Sequence, residues 1–362
     1  MKICFFADVA NVHVQRLAPG LACLGHDVHV VCHKPTALTG VTAEKFRVPP
    51  AGLRNPHRWQ SRFTAYLRGF IRRFDVVVIF FLHDWGFTPE MLTQGCVVAS
   101  PRGSDIVPPP GELPPSAALV EWRIELLRNA TSVGVGGPRF AKIVAAFADL
   151  DTNQIDSLPL GVDVDAFRPT PRAVGDHHRV GFFKGFREVY GASLLVEAIP
   201  AVLDAMPATR FDLCGNGPQL AFCRQLATRL GIDSFVEWLP RRPHSAMPGL
   251  LAEWDLTVMP SMCESFGVAA LESSAMALPV IASDVGGLPD TVRHGETGVL
   301  VEPGSRDAVA QALIDLLKDA PQRRRMGAAG REWVIRNYTW RDVLRTWEAT
   351  LDRARDRALA MV

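Results

Sequence analysis

Two glutamates, Glu264 and Glu272, stand eight positions apart in the run Ser261-Met262-Cys263-Glu264-Ser265-Phe266-Gly267-Val268-Ala269-Ala270-Leu271-Glu272. The run follows the apolar stretch Leu256–Met259, which has the length and branching of a buried strand. If a helix opens at Phe266, its first-turn N–H groups have no intrahelical acceptor and point at whatever lies before the helix. An anion such as a diphosphate suits that position, and Gly267 lets it come close to the backbone. Eight helical residues rise about 12 Å. The two carboxylates would then reach the two ends of a ligand as long as a sugar–diphosphate–ribose. Carboxylates accept several hydrogen bonds and so recognise hydroxyl groups well. The plainer alternative is a helix N-terminal charge at Glu264 and a solvated face at Glu272.

Other phosphate-binding signatures are incomplete. Gly134-x-Gly136-Gly137 follows a strand-like run and precedes a helix, but Arg139 occupies the third glycine position of a dinucleotide fingerprint. Gly215-x-Gly217 is a bare pair, read as a tight turn before a phosphate cradle, and no P-loop is present.

Elements that hold such a site alternate along the whole chain. Strands are expected at Ile3–Ala7, His26–Cys32, Val76–Leu82, Val97–Ser100 and Ser132–Val135. Helices are expected at Val12–Leu24, Ala117–Asn129 and Pro138–Phe147. A turn-rich segment, Leu158–Pro171, interrupts the series. A second series then supplies strands at Val180–Phe183, Arg210–Cys214, Phe235–Trp238, Leu256–Met259, Val280–Ala282 and Gly298–Val301. Its helices are Leu194–Ala205, Gln219–Leu230, Met247–Glu253, Val268–Ala277 and Arg306–Leu317. The βαβα order predicts α/β architecture with two doubly wound, Rossmann-like parallel sheets facing a cleft. The expected divisions are 1–165, 166–338 and a C-terminal helix, 339–362, that returns to the first domain.

Composition narrows the function classes. The 362 residues suit two domains. With 39 basic and 38 acidic residues, the net charge of +1 argues against nucleic-acid binding through bulk charge. The seven cysteines are odd in number and scattered without a C-x-x-C, which predicts reduced thiols in a cytoplasmic protein and neither a disulfide framework nor a zinc site. Residues 1–10 read as a core strand, not a signal peptide, and no run of 18 apolar residues predicts a membrane span. From Arg54 to Arg73 there are six arginines and no acid, with Trp59, Phe63, Tyr66, Phe70 and the adjoining Phe74 on one helical face and most arginines on the other. That segment is either an ordinary domain helix or a peripheral contact with the inner face of a membrane.

The Glu264-x7-Glu272 pair in this setting resembles the retaining GT-B glycosyltransferases of family four. The resemblance covers nearly the whole chain. It includes Gly25-His26-Asp27-Val28, Leu160-Gly161-Val162-Asp163 with Phe167-Arg168-Pro169, Pro279–Ser283 with Gly286-Gly287-Leu288-Pro289, and His294-Gly295-x-Thr297-Gly298. It implies transfer of a sugar from a nucleotide-sugar donor to a hydroxyl acceptor, with retention, without a metal, in glycoconjugate or polysaccharide synthesis. The nucleotide-diphosphate sugar is then a co-substrate and no cofactor is needed. Glu264 would contact sugar hydroxyls, Glu272 the ribose, and Ser265, Phe266 and Gly267 the diphosphate.

The chain departs from the family in places. Aligned on Gly191, the usual basic pair falls on Gly185 and Tyr190, so Lys184 becomes the first phosphate-binding candidate and Arg187 the second. The first-strand loop, Ala7–His13, lacks the glycine pair of many relatives, which leaves Asn11, His13 and Arg16 as acceptor-side candidates. His83, after a strand, and Asp105, in Arg102-Gly103-Ser104-Asp105, complete that set. Two other classes fit the same residues: a nucleotide-sugar epimerase acting without an acceptor, and a non-catalytic sugar-nucleotide-binding protein.

Overall fold

The computed structural model describes residues 1–46, 66–82, 92, 94–108, 114–170 and 177–360. The chain divides into two compact α/β units. The first comprises residues 1–108, 113–160 and 341–362, and the second is centred on residues 161–340.

The first unit is a seven-stranded parallel sheet. Its strands are β1 (Lys2–Phe6), β2 (Asp27–Cys32), β3 (Val41–Lys45), β4 (Val76–Phe80), β5 (Val97–Ser100), β6 (Ser132–Val135) and β7 (Ile155–Ser157), in the order β3-β2-β1-β4-β5-β6-β7. Helices α1 (Val14–Cys23), α2 (Ala117–Asn129) and α3 (Pro138–Ala148) connect strands. Both faces of β1 and β4 are buried: Cys4, Phe6, Val77 and Ile79 pack on one side, and Phe5 and Phe80 meet Trp347 on the other. This explains the unbroken apolar run Val76–Phe80. α1 stops where Gly25 takes φ +91°, a conformation glycine reaches without steric cost.

β3 and β7 escaped the sequence reading. They are the two edges of the sheet. Edge strands need no continuous apolar run, and Val-Thr-Ala-Glu-Lys and Ile-Asp-Ser show none.

The second unit is a six-stranded parallel sheet. It contains β8 (His178–Phe182), β9 (Thr209–Cys214), β10 (Val236–Leu239), β11 (Leu256–Met259), β12 (Val280–Ser283) and β13 (Gly298–Val301), ordered β10-β9-β8-β11-β12-β13. Its helices are α4 (Ala192–Ala205), α5 (Leu220–Arg229), α6 (Met247–Leu251), α7 (Val268–Ala275), α8 (Leu288–Thr291), α9 (Arg306–Lys318) and α10 (Ala320–Asn337). Val258 and Ile281 pack with residues of α4, α5 and α9 on one face. Met259, Val280 and Ala282 pack with α7 and α8 on the other. The period-two alternation of one strand thus serves two cores. A last helix, α11 (Trp340–Ala360), follows α10.

All seven cysteines are free, five of them buried. Burial pushes the Cys96 thiol up to about 12 and the Cys223 thiol up to about 11. No helix among the described residues is long and apolar enough to cross a membrane.

Candidate functional site

In the second sheet the strand order reverses between β8 and β11, which pair directly, Val180 with Leu256 and Gly181 with Thr257. Ligands of open parallel sheets bind outside the carboxyl ends of the strands at such a switch point. The loop after β8 carries Lys184, and the loop after β11 carries Glu264. The two side chains meet there: the Lys184 ammonium donates a hydrogen bond to Glu264 Oε2. Both are mostly buried, and Lys184 Nζ also lies 4.5 Å from the centre of the Tyr190 ring. Burial alone would lower the Lys184 pKa, but Glu264, Tyr190 and Glu272 more than offset it and hold it above the ordinary value.

Glycines fit these loops together. Gly191, at φ +67°, opens α4, and a Cβ there would stand 2.0 Å from the Pro260 carbonyl oxygen. Gly286, at φ +50°, backs directly onto Glu264, where a Cβ would lie 1.8 Å from its carbonyl oxygen. Beside it, the Gly287 N–H donates to that same oxygen at 2.9 Å. The turn after β12 therefore clamps the backbone of Glu264. Gly215 and Gly217 do a related job, since their backbones press on Lys184 and Phe186, and Phe186 N–H donates to the Asn216 carbonyl. That glycine pair supports the Lys184 loop by close packing.

Ser265 and Phe266 lead into α7, which begins after Gly267 at φ +92°. Phe266 is buried, edge-on to Tyr338 at 5.8 Å. Glu272 lies on α7 and is also mostly buried. It is held by a residue the sequence reading passed over: His244 Nε2 stands 2.7 Å from Glu272 Oε1. His244 opens a short 3-10 turn after Pro243, and its ring packs on Phe167 with centroids 5.3 Å apart. No spacing rule joins positions 244 and 272, which lie on different crossovers. Arg187, three residues beyond Lys184, is exposed just before the turn Glu188–Tyr190. Cys263 is partly buried, and burial with the Glu264 charge pushes its thiol up, which keeps it protonated and unsuited to nucleophilic attack.

In the first unit the order reverses between β1 and β4. Asn11 folds the loop after β1 by accepting the His13 N–H at 2.9 Å. His13 precedes α1 and makes no side-chain cap, and Arg16 is exposed on the first turn. Asp105 is buried, and its carboxylate accepts the N–H groups of Leu82, Arg102 and Gly103. It organises the loop after β5. Arg102 turns inward, 4.4 Å above Phe80, and donates to the Leu158 carbonyl. Desolvation lowers its pKa to about 9 despite Asp105. His83 lies outside the described residues, as do positions 54–65 of the arginine-rich segment. Within its described part, Phe70 and Phe74 are buried in the core of the first unit, while Tyr66 is exposed. Among the described residues no group of three or more His, Cys, Asp or Glu is placed to hold a metal ion.

The profile of the glycosyl transferases group 1 matches residues 163–333, and that of glycosyltransferase family 4 matches residues 10–166. A GDP-mannose-dependent alpha-(1-6)-phosphatidylinositol monomannoside mannosyltransferase of Mycolicibacterium smegmatis is 33% identical over 52% of this chain and 53% of its own length. A D-inositol 3-phosphate glycosyltransferase of Corynebacterium glutamicum is 32% identical over 63% and 59%. The chain thus spans little more than half the length of these curated relatives. Among solved structures, sucrose-phosphate synthase of Thermosynechococcus elongatus superposes with a TM-score of 0.81 at 20% identity, over 98% of both chains. HepE of Anabaena, solved with UDP and glucose, gives 0.77 at 18% identity, over 97% of this chain and 99% of its own. These two likenesses establish the fold.

Proposed function

The chain belongs to the group 1, family 4 glycosyltransferases, and from that premise we propose that it moves a sugar from a nucleotide-diphosphate donor to a hydroxyl acceptor with retention of anomeric configuration. The observation that carries this reading is the meeting of Lys184 and Glu264 at the β8/β11 switch point, with Glu272 further along α7. A carboxylate suits the hydroxyls of a sugar, a helix start with a cation suits a diphosphate, and a second carboxylate suits a ribose.

In this reading Glu264 orients the sugar hydroxyls, and the backbone at Ser265, Phe266 and Gly267 receives the diphosphate. Glu272 accepts from the ribose. As the glycosidic bond breaks, the diphosphate gains charge, and Lys184 stabilises it, with Arg187 in support. The acceptor hydroxyl attacks from the leaving-group face, and its proton passes to the departing phosphate oxygen. No enzyme nucleophile and no metal enters that sequence. Asn11, His13 and Arg16 are the acceptor-side groups.

The test is a donor panel led by GDP-mannose and UDP-glucose, with inositol-bearing acceptors first, since the names of both relatives carry inositol. Acceptor-dependent nucleotide release, a product of retained configuration by NMR and indifference to EDTA are expected. Isomerisation of the donor without an acceptor, or binding without turnover, overturns the transferase reading. A peripheral membrane role for the arginine-rich segment is tested by co-sedimentation with anionic vesicles at low salt, where binding should fall when Arg58 and Arg62 are replaced.

A further inference from the structure

We infer that His244 is the positioning residue of the ribose subsite: it fixes Glu272 so that one carboxylate oxygen stays turned to the nucleotide. The inference rests on the proposed donor site. Glu272 sits on α7, and the partner of its side chain among the described residues is His244, whose Nε2 stands 2.7 Å from Oε1. A carboxylate on a helix has three side-chain torsions, and an unpaired one samples several rotamers. His244 removes that freedom. Its own ring is steadied by Phe167, which is fully buried and whose carbonyl accepts from Arg331 Nη1 at 3.0 Å. Pro243 fixes the chain direction just before it. The chain of support therefore runs from Arg331 and Phe167 through His244 to Glu272. All of these residues lie in the second unit.

The bond uses one lone pair on Oε1 and leaves Oε2 unshared with His244. A ribose offers two adjacent hydroxyl donors, and a carboxylate held in one rotamer accepts them without first losing entropy. His244 thus acts through Glu272 and touches no reacting atom. Its loss should weaken nucleotide binding and leave the chemical step of bound donor unchanged. The effect should disappear when Glu272 is absent.

Calorimetric titration of GDP and UDP into wild type, His244→Ala, His244→Gln, Glu272→Ala and the double variant tests this. His244→Ala should lose about tenfold in affinity for the nucleotide that binds wild type better. His244→Gln, which retains an N–H donor, should recover most of the loss. In the Glu272→Ala background, His244→Ala should change affinity less than about twofold. The 2′,3′-dideoxy nucleotide should bind wild type and His244→Ala about equally. In steady-state kinetics the donor KM should rise while kcat holds. Unchanged or tighter binding by His244→Ala overturns the inference, as does an equal loss in both backgrounds. If Glu272→Ala itself leaves affinity unchanged, or neither nucleotide binds wild type, the donor-site reading fails and takes the inference with it. A normal loss for Glu272→Ala with no effect of His244→Ala sinks the inference alone.

Discussion

Lys184 and Glu264 compensate one another in a largely buried setting, and neither is cheap to remove. Taking away one member of a buried pair leaves the other charge exposed to desolvation without a partner. If Lys184 meets the donor diphosphate as proposed, Lys184→Ala should cost more in turnover than in donor binding, because the charge on that group grows toward the transition state. A loss of kcat on the order of a hundredfold is expected, with Arg187→Ala milder. Steady-state kinetics with one donor and acceptor decide this, and wild-type turnover in Lys184→Ala with a loss in Arg187→Ala would reverse the roles. The raised Lys184 pKa adds a second expectation. A lysine held above its unfolded value near roughly 10.4 contributes its pairing free energy fully below that pH and loses it only as pH climbs through the raised value. Its charge is therefore constant over any ordinary assay range. An alkaline limb in kcat below about pH 9 that Lys184→Arg abolishes would contradict this. Of the proposed site residues, Glu264, Glu272 and Gly267 stand out in the sequence because they share one short run. Lys184 is a candidate by its place after a strand, and its bond to Glu264 was not visible across 80 positions.

At the scale of elements, the Glu264 loop has its conformation imposed from the turn after β12. Gly286→Ala would place a methyl group 1.8 Å from the Glu264 carbonyl oxygen at φ +50°. The backbone must shift, and with it the carboxylate. Strain of this kind costs roughly 1–3 kcal/mol. Thermal unfolding should show a lowered midpoint, and nucleotide titration a weakened donor. An unchanged variant on both counts would show that the clamp is dispensable. The sequence displayed Gly286-Gly287 as a pattern, but its reason, two backbones in contact, appears only when β11 and β12 lie side by side.

On the scale of the whole molecule, the first unit is completed by residues from the far end of the chain. Trp347 on α11 is fully buried, packs near Phe5 and Phe80, and donates from Nε1 to the Pro159 carbonyl at 2.8 Å. Trp347→Ala should destabilise that unit by about 3–5 kcal/mol, while Trp347→Phe should cost less. Urea unfolding followed separately for the two units checks it, and a change below about 1 kcal/mol would mean the helix is peripheral. Donor nucleotide should not rescue this variant's first unit to the extent that it stabilises the second, because a ligand stabilises only the state that binds it.

Strand and helix periods, the two α/β series and the Glu264–Glu272 run were determined by sequence alone, because each is written in residues within a turn or two of one another. Edge strands β3 and β7 were not, since their stability comes from a neighbour's backbone and asks little of their own side chains. The strand order, which brings β8 beside β11 over 70 intervening positions, belongs to the tertiary structure. So do the bonds that depend on it: Lys184 to Glu264, and His244 to Glu272. Hydrogen bonds and ion pairs act over a few ångströms and carry no memory of sequence separation, so only the folded sheet decides which charges meet.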